Sequence, residues 1–179
     1  MKKLFIFLFY LSATGILLNK AHAQSSKCLL LNSFTGEWRY ANGQDTIRVY
    51  FRAQDYTIIT SGVPDQTISC LRGWHQYKQG STIIESNYGN RFMTLPATTA
   101  NETPHSYSIM LQMPQCDTSR HNFIGMIDDI TQCYEYKNVT AQFNTSLNQI
   151  TWTQQRAGYV ITSGCTGMTL PGTFVLTKQ

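Results

Sequence analysis

The stretch that most constrains what this chain folds into runs from Thr35 to Arg52. Thr35-Gly36-Glu37-Trp38-Arg39-Tyr40 reads as a strand opening on a Gly-x-Trp, Ala41-Asn42-Gly43-Gln44 as a turn, and Asp45 to Arg52 as the returning strand. An Asn-Gly pair supplies the positive φ angles that a tight hairpin needs. In the returning strand Ile47, Val49 and Phe51 share one face while Arg48, Tyr50 and Arg52 share the other. That is the period of a half-buried antiparallel strand.

The rest of the chain repeats this grammar. Strands are predicted at 67–77, 81–86, 91–95, 105–113, 121–127, 137–143, 149–154, 158–162 and 173–178, and 56–60 is either a further strand or the second one continued. In 105–113, Tyr107, Ile109, Leu111 and Met113 fall on one face. Phe123, Ile127, Ile130 and Tyr134 are spaced as on a helix face too, but Gly125 and Asp128-Asp129 interrupt them and favour strand-turn-strand. Residues 24–32 form a short helix or extended lead-in against the barrel end, and the polar loop 96–104 is expected to be the most mobile segment. The fold class is all-β, an antiparallel barrel of about 8–10 strands, with a β-sandwich as the alternative. Closure removes exposed strand edges.

The N-terminus is set apart from this pattern. Lys2-Lys3, an apolar run from Leu4 to Leu18 and Ala21-His22-Ala23 make a secretory signal peptide over residues 1–23, leaving 24–179 as one barrel domain. The apolar run is short for a bilayer span, and no later segment is apolar enough, so no membrane span is expected after cleavage. Three of the 14 Lys and Arg residues leave with the signal while all 10 acids stay, which brings the remaining chain to +1. The basicity of the full sequence therefore gives no support to nucleic-acid binding. Charged residues are 13% of the chain, and polarity comes from Thr, Ser, Asn and Gln instead. Thr suits the wet face of a sheet.

Export permits disulfides. Five cysteines follow the signal, Cys28, Cys70, Cys116, Cys133 and Cys165, so at least one is left over. Cys116 and Cys133 flank one strand-and-turn unit and are the expected pair. No spacing matches a zinc ribbon or a Cys-x-x-Cys redox motif.

Two resemblances rest on these residues. Gly36-x-Trp38 on the opening strand resembles the signature of lipocalin-type barrels. In that family the Trp closes the barrel bottom under a basic side chain from a late strand. The resemblance implies a lipocalin-like barrel and assigns closure to Gly36 and Trp38, with Arg156 and Lys178 as candidates for the covering base. Over nearly the whole mature chain, the sequence is also similar to an uncharacterised family of small secreted Bacteroidetes proteins, a domain of unknown function. The matching pieces are Phe34 to Tyr40, Cys70 to Tyr77 and Leu170 to Lys178. That likeness implies a secreted or periplasmic location and a lipocalin-like β fold, and it brings no activity with it.

Enzyme motifs are missing: there is no Gly-x-Ser-x-Gly, no phosphate loop and no His-Glu-x-x-His. His75, His105 and His121 stand far apart in sequence and read as strand or loop surface residues, so neither a metal site nor a cofactor is expected. Cys165, within Ser163-Gly164-Cys165-Thr166-Gly167, is a nucleophile candidate, but a disulfide or buried thiol in a turn is the better account. Asp128-Asp129 reads as a turn, because strand neighbours point to opposite faces. The sequence reading is thus a non-catalytic barrel that binds a small hydrophobic molecule through Trp74, Tyr77, Tyr107 and Trp152. Its alternative is a module binding an extracellular protein, an inhibitor or surface-interaction protein with a filled barrel core.

Overall fold

A computed structural model describes residues 29–101, 106–114, 121–128, 130, 135–157 and 168–179. Among the described residues there are nine strands: β1 (Gly36–Asn42), β2 (Asp45–Ile58), β3 (Gln66–Gln79), β4 (Thr82–Ser86), β5 (Ile109–Gln112), β6 (Asn122–Asp128), β7 (Tyr136–Phe143), β8 (Gln149–Arg156) and β9 (Thr173–Lys178). Every pairing between these strands is antiparallel, and the order β1-β2-β3-β5-β6-β7-β8-β9 closes on itself through β1–β9. The fold is a closed eight-stranded barrel with β4 as one extra strand on β3. The described helices are 3-10 turns at Leu29–Phe34, Tyr88–Phe92 and Thr99–Asn101, none long enough to cross a membrane.

Alternation decides which residues fill the barrel. Ile47, Val49 and Phe51 on β2 meet Trp38 on β1 and Leu71 and Tyr77 on β3 in one buried cluster. At the end where β1 starts, the 29–34 turn plugs the barrel with Leu31 and Phe34, as a lead-in packed on that end should. Phe34 sits edge-on to Phe143 and Phe123 at 4.6 and 4.9 Å, and Trp38 edge-on to Phe143 at 5.2 Å. Towards the opposite end, Trp152 stacks on Phe174, and Met168 and Leu170 bury their side chains in the same core. Outward positions of β7–β9 are Asn138, Thr140, Gln142, Thr151, Thr153, Gln155, Thr173 and Thr177, so the Thr-rich polarity does face water.

The opening hairpin differs from expectation in one detail. Asn42 is the last strand residue, paired with Asp45, and the turn is Gly43-Gln44. Gly43 alone takes positive φ, at 59°. The returning strand runs on to Ile58, so Tyr56 to Ile58 continue the second strand, one of the two readings of 56–60.

Two further expectations are corrected. Residues 91–95 are no strand: Tyr88–Phe92 is a 3-10 turn, because Arg91 and Phe92 serve side-chain contacts on the barrel wall rather than a ladder. The described part of the 96–104 loop is fastened rather than loose. Thr57 N–H donates to Ala97 O at 2.8 Å, Gln54 Nε2 to Pro96 O at 2.8 Å and Ile59 N–H to Thr99 Oγ1 at 2.9 Å. For the ambiguous segment, Phe123 and Ile127 lie on strand β6, while Tyr134 is outside the described residues. So are the signal peptide, the predicted strand at 158–162, His105, Asp129, Cys28, Cys116, Cys133 and Cys165. The expected Cys116–Cys133 disulfide therefore lies outside them as well.

Candidate functional site

One edge of β3 carries two strands in line. Gln76 to Gln79 pair with β4 and Cys70 to Gly73 pair with β5. Between them the chain leaves the wall at Ser86 and returns at Ile109. The described residues of this excursion, 87–101 and 106–108, lie against the outer face of β2 and β3, and this detour organises two polar sites on opposite faces of β3.

Inside the wall, Gly73 and His75 share the face of Leu71 and Tyr77. Gly73 leaves room there for Phe51 and Ile109, which a Cβ would touch at 3.0 and 2.9 Å. His75 stands opposite Val49 and is fully buried. Its Nδ1 lies 2.7 Å from Ser108 Oγ, and its Nε2 lies 3.2 Å from Glu85 Oε1. Ser108 Oγ also donates to Asn87 Oδ1 at 3.2 Å, and the same oxygen accepts the His75 N–H at 2.9 Å. The Glu85 oxygens and Asn87 Nδ2 have no aligned hydrogen-bond partner. Ser108, His75 and Glu85 form a serine-histidine-carboxylate relay in composition, but all three are buried, so Ser108 presents no nucleophile to solvent. The expectation that His75 is a surface residue is overturned: the wall break lets β4 and the excursion supply buried polar partners. Next to it Tyr77 donates to Asp45 Oδ1 at 2.9 Å, and burial followed by that bond pushes the phenol pKa up.

Outside the wall, the same detour buries a second layer. Trp74 donates its indole N–H to Ser106 O at 2.7 Å and lies under the Arg52 guanidinium. Arg72 is sandwiched between Tyr56 and Tyr107, at 3.9 and 3.8 Å from the ring centroids. Arg48 and Arg91 lie against Tyr88, and Phe92 packs edge-on to Tyr50. Arg52 Nη1 donates to Met93 O at 2.7 Å. The arginine face of β2, which alternation alone reads as wet, is thus the base of an arginine-aromatic layer.

Beside this layer lies an open groove of about 320 Å³, lined by Glu37, Arg39, Thr46, Arg48, Gln76, Lys78 and Gln179. Arg48 Nε donates to Glu37 Oε1 at 2.8 Å. Burial pushes the Glu37 carboxyl up, but the nearby Tyr88 hydroxyl and the Arg48 guanidinium outweigh it and hold the carboxyl below its ordinary value. Burial, then the Glu37 carboxylate, pushes the Tyr88 phenol up to about 12.

The four residues read as a ligand set do not converge. Tyr77 and Trp152 face the barrel interior, whereas Trp74 faces outward beneath the excursion and Tyr107 stacks on Arg72 outside the wall. Of the closure set, Lys178 lies over Trp38, 5.4 Å from the ring centroid, and donates to Ser33 O at 3.0 Å. Gly36 opens β1 with φ 106°. The Arg156 side chain is outside the described set. Among the described residues, no three His, Cys, Asp or Glu side chains cluster as metal ligands. The detour over β2 and β3 was invisible to periodicity; the available signal was the cluster of large side chains on both faces of one strand, Leu71, Arg72, Trp74, His75 and Tyr77, too dense for a strand with one wet face.

The chain belongs to a family of unknown function, DUF6705, whose model matches residues 1–179. Neither a curated protein nor a solved structure matches it.

Proposed function

We propose that this protein is a secreted or periplasmic binding module that engages an extracellular protein through the outer wall of its barrel, without catalysis. The filled interior carries this reading. Trp38, Trp152, Phe51, Phe123, Phe143, Leu71 and Leu111 are essentially inaccessible, and Met168 and Leu170 bury themselves at the far end. A barrel carrying a small hydrophobic molecule keeps an internal cavity for it. Among the described residues the interior side chains are packed against one another, so the small-ligand reading has the weaker support.

Exposed apolar side chains occur on several strands, Ile124, Met126, Tyr136 and Val175 among them, but the most exposed one, Phe92, belongs to a group on one segment. Ile83, Ile84, Phe92 and Met93, on β4 and the turn after it, are 53%, 39%, 70% and 48% exposed. Large apolar groups left in water on one short segment suit a protein contact. A photo-reactive amino acid placed at Phe92, with Thr151 on the opposite wall as control, tests this in the producing cells. Crosslinks to one partner protein from position 92 and none from position 151 are expected. Absence from both, or equal capture from both, contradicts the reading.

A further inference from the structure

The groove beside the exposed segment has a charge arrangement that the packing of the barrel does not require. Arg39 and Arg48 are direct cross-strand partners on the outer face of β1 and β2. Like charges directly opposite each other destabilise a sheet. Thr46 and Lys78 form the adjacent cross-strand pair, which brings a third cation to the same face. Against these three cationic side chains the groove holds one acidic side chain, Glu37, and that carboxylate already belongs to Arg48 at 2.7 Å. Among the described residues Arg39 and Lys78 have no acidic partner and no side-chain hydrogen bond. The charged side chains that line the groove sum to +2, three cations against one carboxylate, whereas residues 24–179 as a whole carry +1.

We propose that this groove is a binding site for the oxyanion of an organic ligand, a carboxylate or a phosphate ester. The Arg39 guanidinium offers a planar fork that matches either group in two parallel hydrogen bonds, and Lys78 adds a point charge. Thr46 and Gln76 supply a hydroxyl and an amide between them. Glu37, itself in the groove wall, holds Arg48 through Nε at 2.8 Å, so the guanidinium is oriented before a ligand arrives, and a bound anion relieves the repulsion between Arg48 and Arg39. A volume of about 320 Å³ accepts the anionic group together with a small organic body. This inference goes beyond the protein-binding reading and stands or falls separately from it.

The test is a titration of the folded protein with inorganic phosphate and, separately, with acetate, followed through the arginine Nε–Hε signals by NMR. Arg52 and Arg91, outside the groove, are internal references. Saturable shifts confined to Arg39 and Arg48 are expected, weakened about tenfold or more in Arg39→Gln, the size of one charge-assisted contact. Arg39→Lys should recover part of the loss by restoring charge without the fork. Saturation by phosphate alone assigns a phosphate ester, and saturation by acetate alone a carboxylate. Shifts that never saturate, that appear equally at Arg52 and Arg91, or that persist in both Arg39→Gln and Lys78→Gln overturn the proposal.

Discussion

Lys178 Nζ lies over the Trp38 ring at 5.4 Å from its centroid, and the two residues are cross-strand partners where the last strand closes on the first. The contact joins the two ends of the barrel sequence. Trp38 itself is fully buried, with its indole N–H donating to Phe34 O at 3.3 Å. Replacing Trp38 by Ala should cost about 3–5 kcal/mol, the range for a buried aromatic. Lys178→Met keeps the apolar stem and loses the charge and the bond to Ser33 O, so about 1–2 kcal/mol is expected. Urea denaturation of the two single variants and the double variant measures both effects and their coupling. A Trp38→Ala midpoint that barely moves contradicts the closure role.

The buried pair of His75 and Glu85 makes a different prediction. Removing one partner strands the other in the barrel wall, and Glu85→Leu or His75→Leu alone should each cost about 3–5 kcal/mol. The double variant should lose less than the sum of the two, because neither polar group is then left behind. Denaturation midpoints for the three variants decide this. Additive losses show that the two side chains do not act as a pair.

A close backbone approach sets the third prediction. At Gly125 on β6 an added Cβ collides with Met110 O and comes within 2.9 Å of Leu111 Cα on the paired strand β5. Backbone cannot swing aside as a flexible side chain can. Gly125→Ala should therefore destabilise by about 3 kcal/mol, at the upper end of overpacking costs. A thermal melt within a degree of the parent shows that β5 and β6 part more readily than their register implies.

Glu37 gives the acid limb of stability its sign. Its folded pKa is depressed below 4.5, so its contribution is fully present above that value and is lost as pH falls through the folded pKa. Tyr88 works at the other limit. With its pKa raised to about 12 from 10, its contribution is present below pH 10 and lost as pH rises towards 12. Glu37→Gln should flatten part of the acid limb, and Tyr88→Phe part of the alkaline one, in denaturation followed against pH. An unchanged acid limb in Glu37→Gln would show that folding does not depress the Glu37 carboxyl.

The barrel was largely legible because its signal is local. Alternation at Ile47, Val49 and Phe51, the glycine turn after Asn42 and the apolar run at Ile109, Leu111 and Met113 each fix a strand and its buried face without reference to anything distant. Tyr107 broke that rule: it shares parity with Ile109, yet the chain bends at Ser108 and turns Tyr107 out onto Arg72. The candidate sites were hidden for a related reason. Whether Arg48, Tyr50, Arg52 and Trp74 meet water depends on where residues 87–101 and 106–108 lie, and no period within β2 or β3 carries that information. His75 likewise gains its partners from Glu85 and Ser108, on two different strand ends. The Lys178 contact was reachable only through resemblance, since 140 positions separate it from Trp38.

Native mass spectrometry of the protein purified from the cells that produce it tests the filled-barrel account most directly. A spectrum showing the chain from Gln24 onward, with no small molecule released on collisional activation, is the predicted result. A lipid-like or other apolar molecule that leaves only on activation would mean that the barrel opens to hold a ligand, and would contradict a function carried by its outer wall.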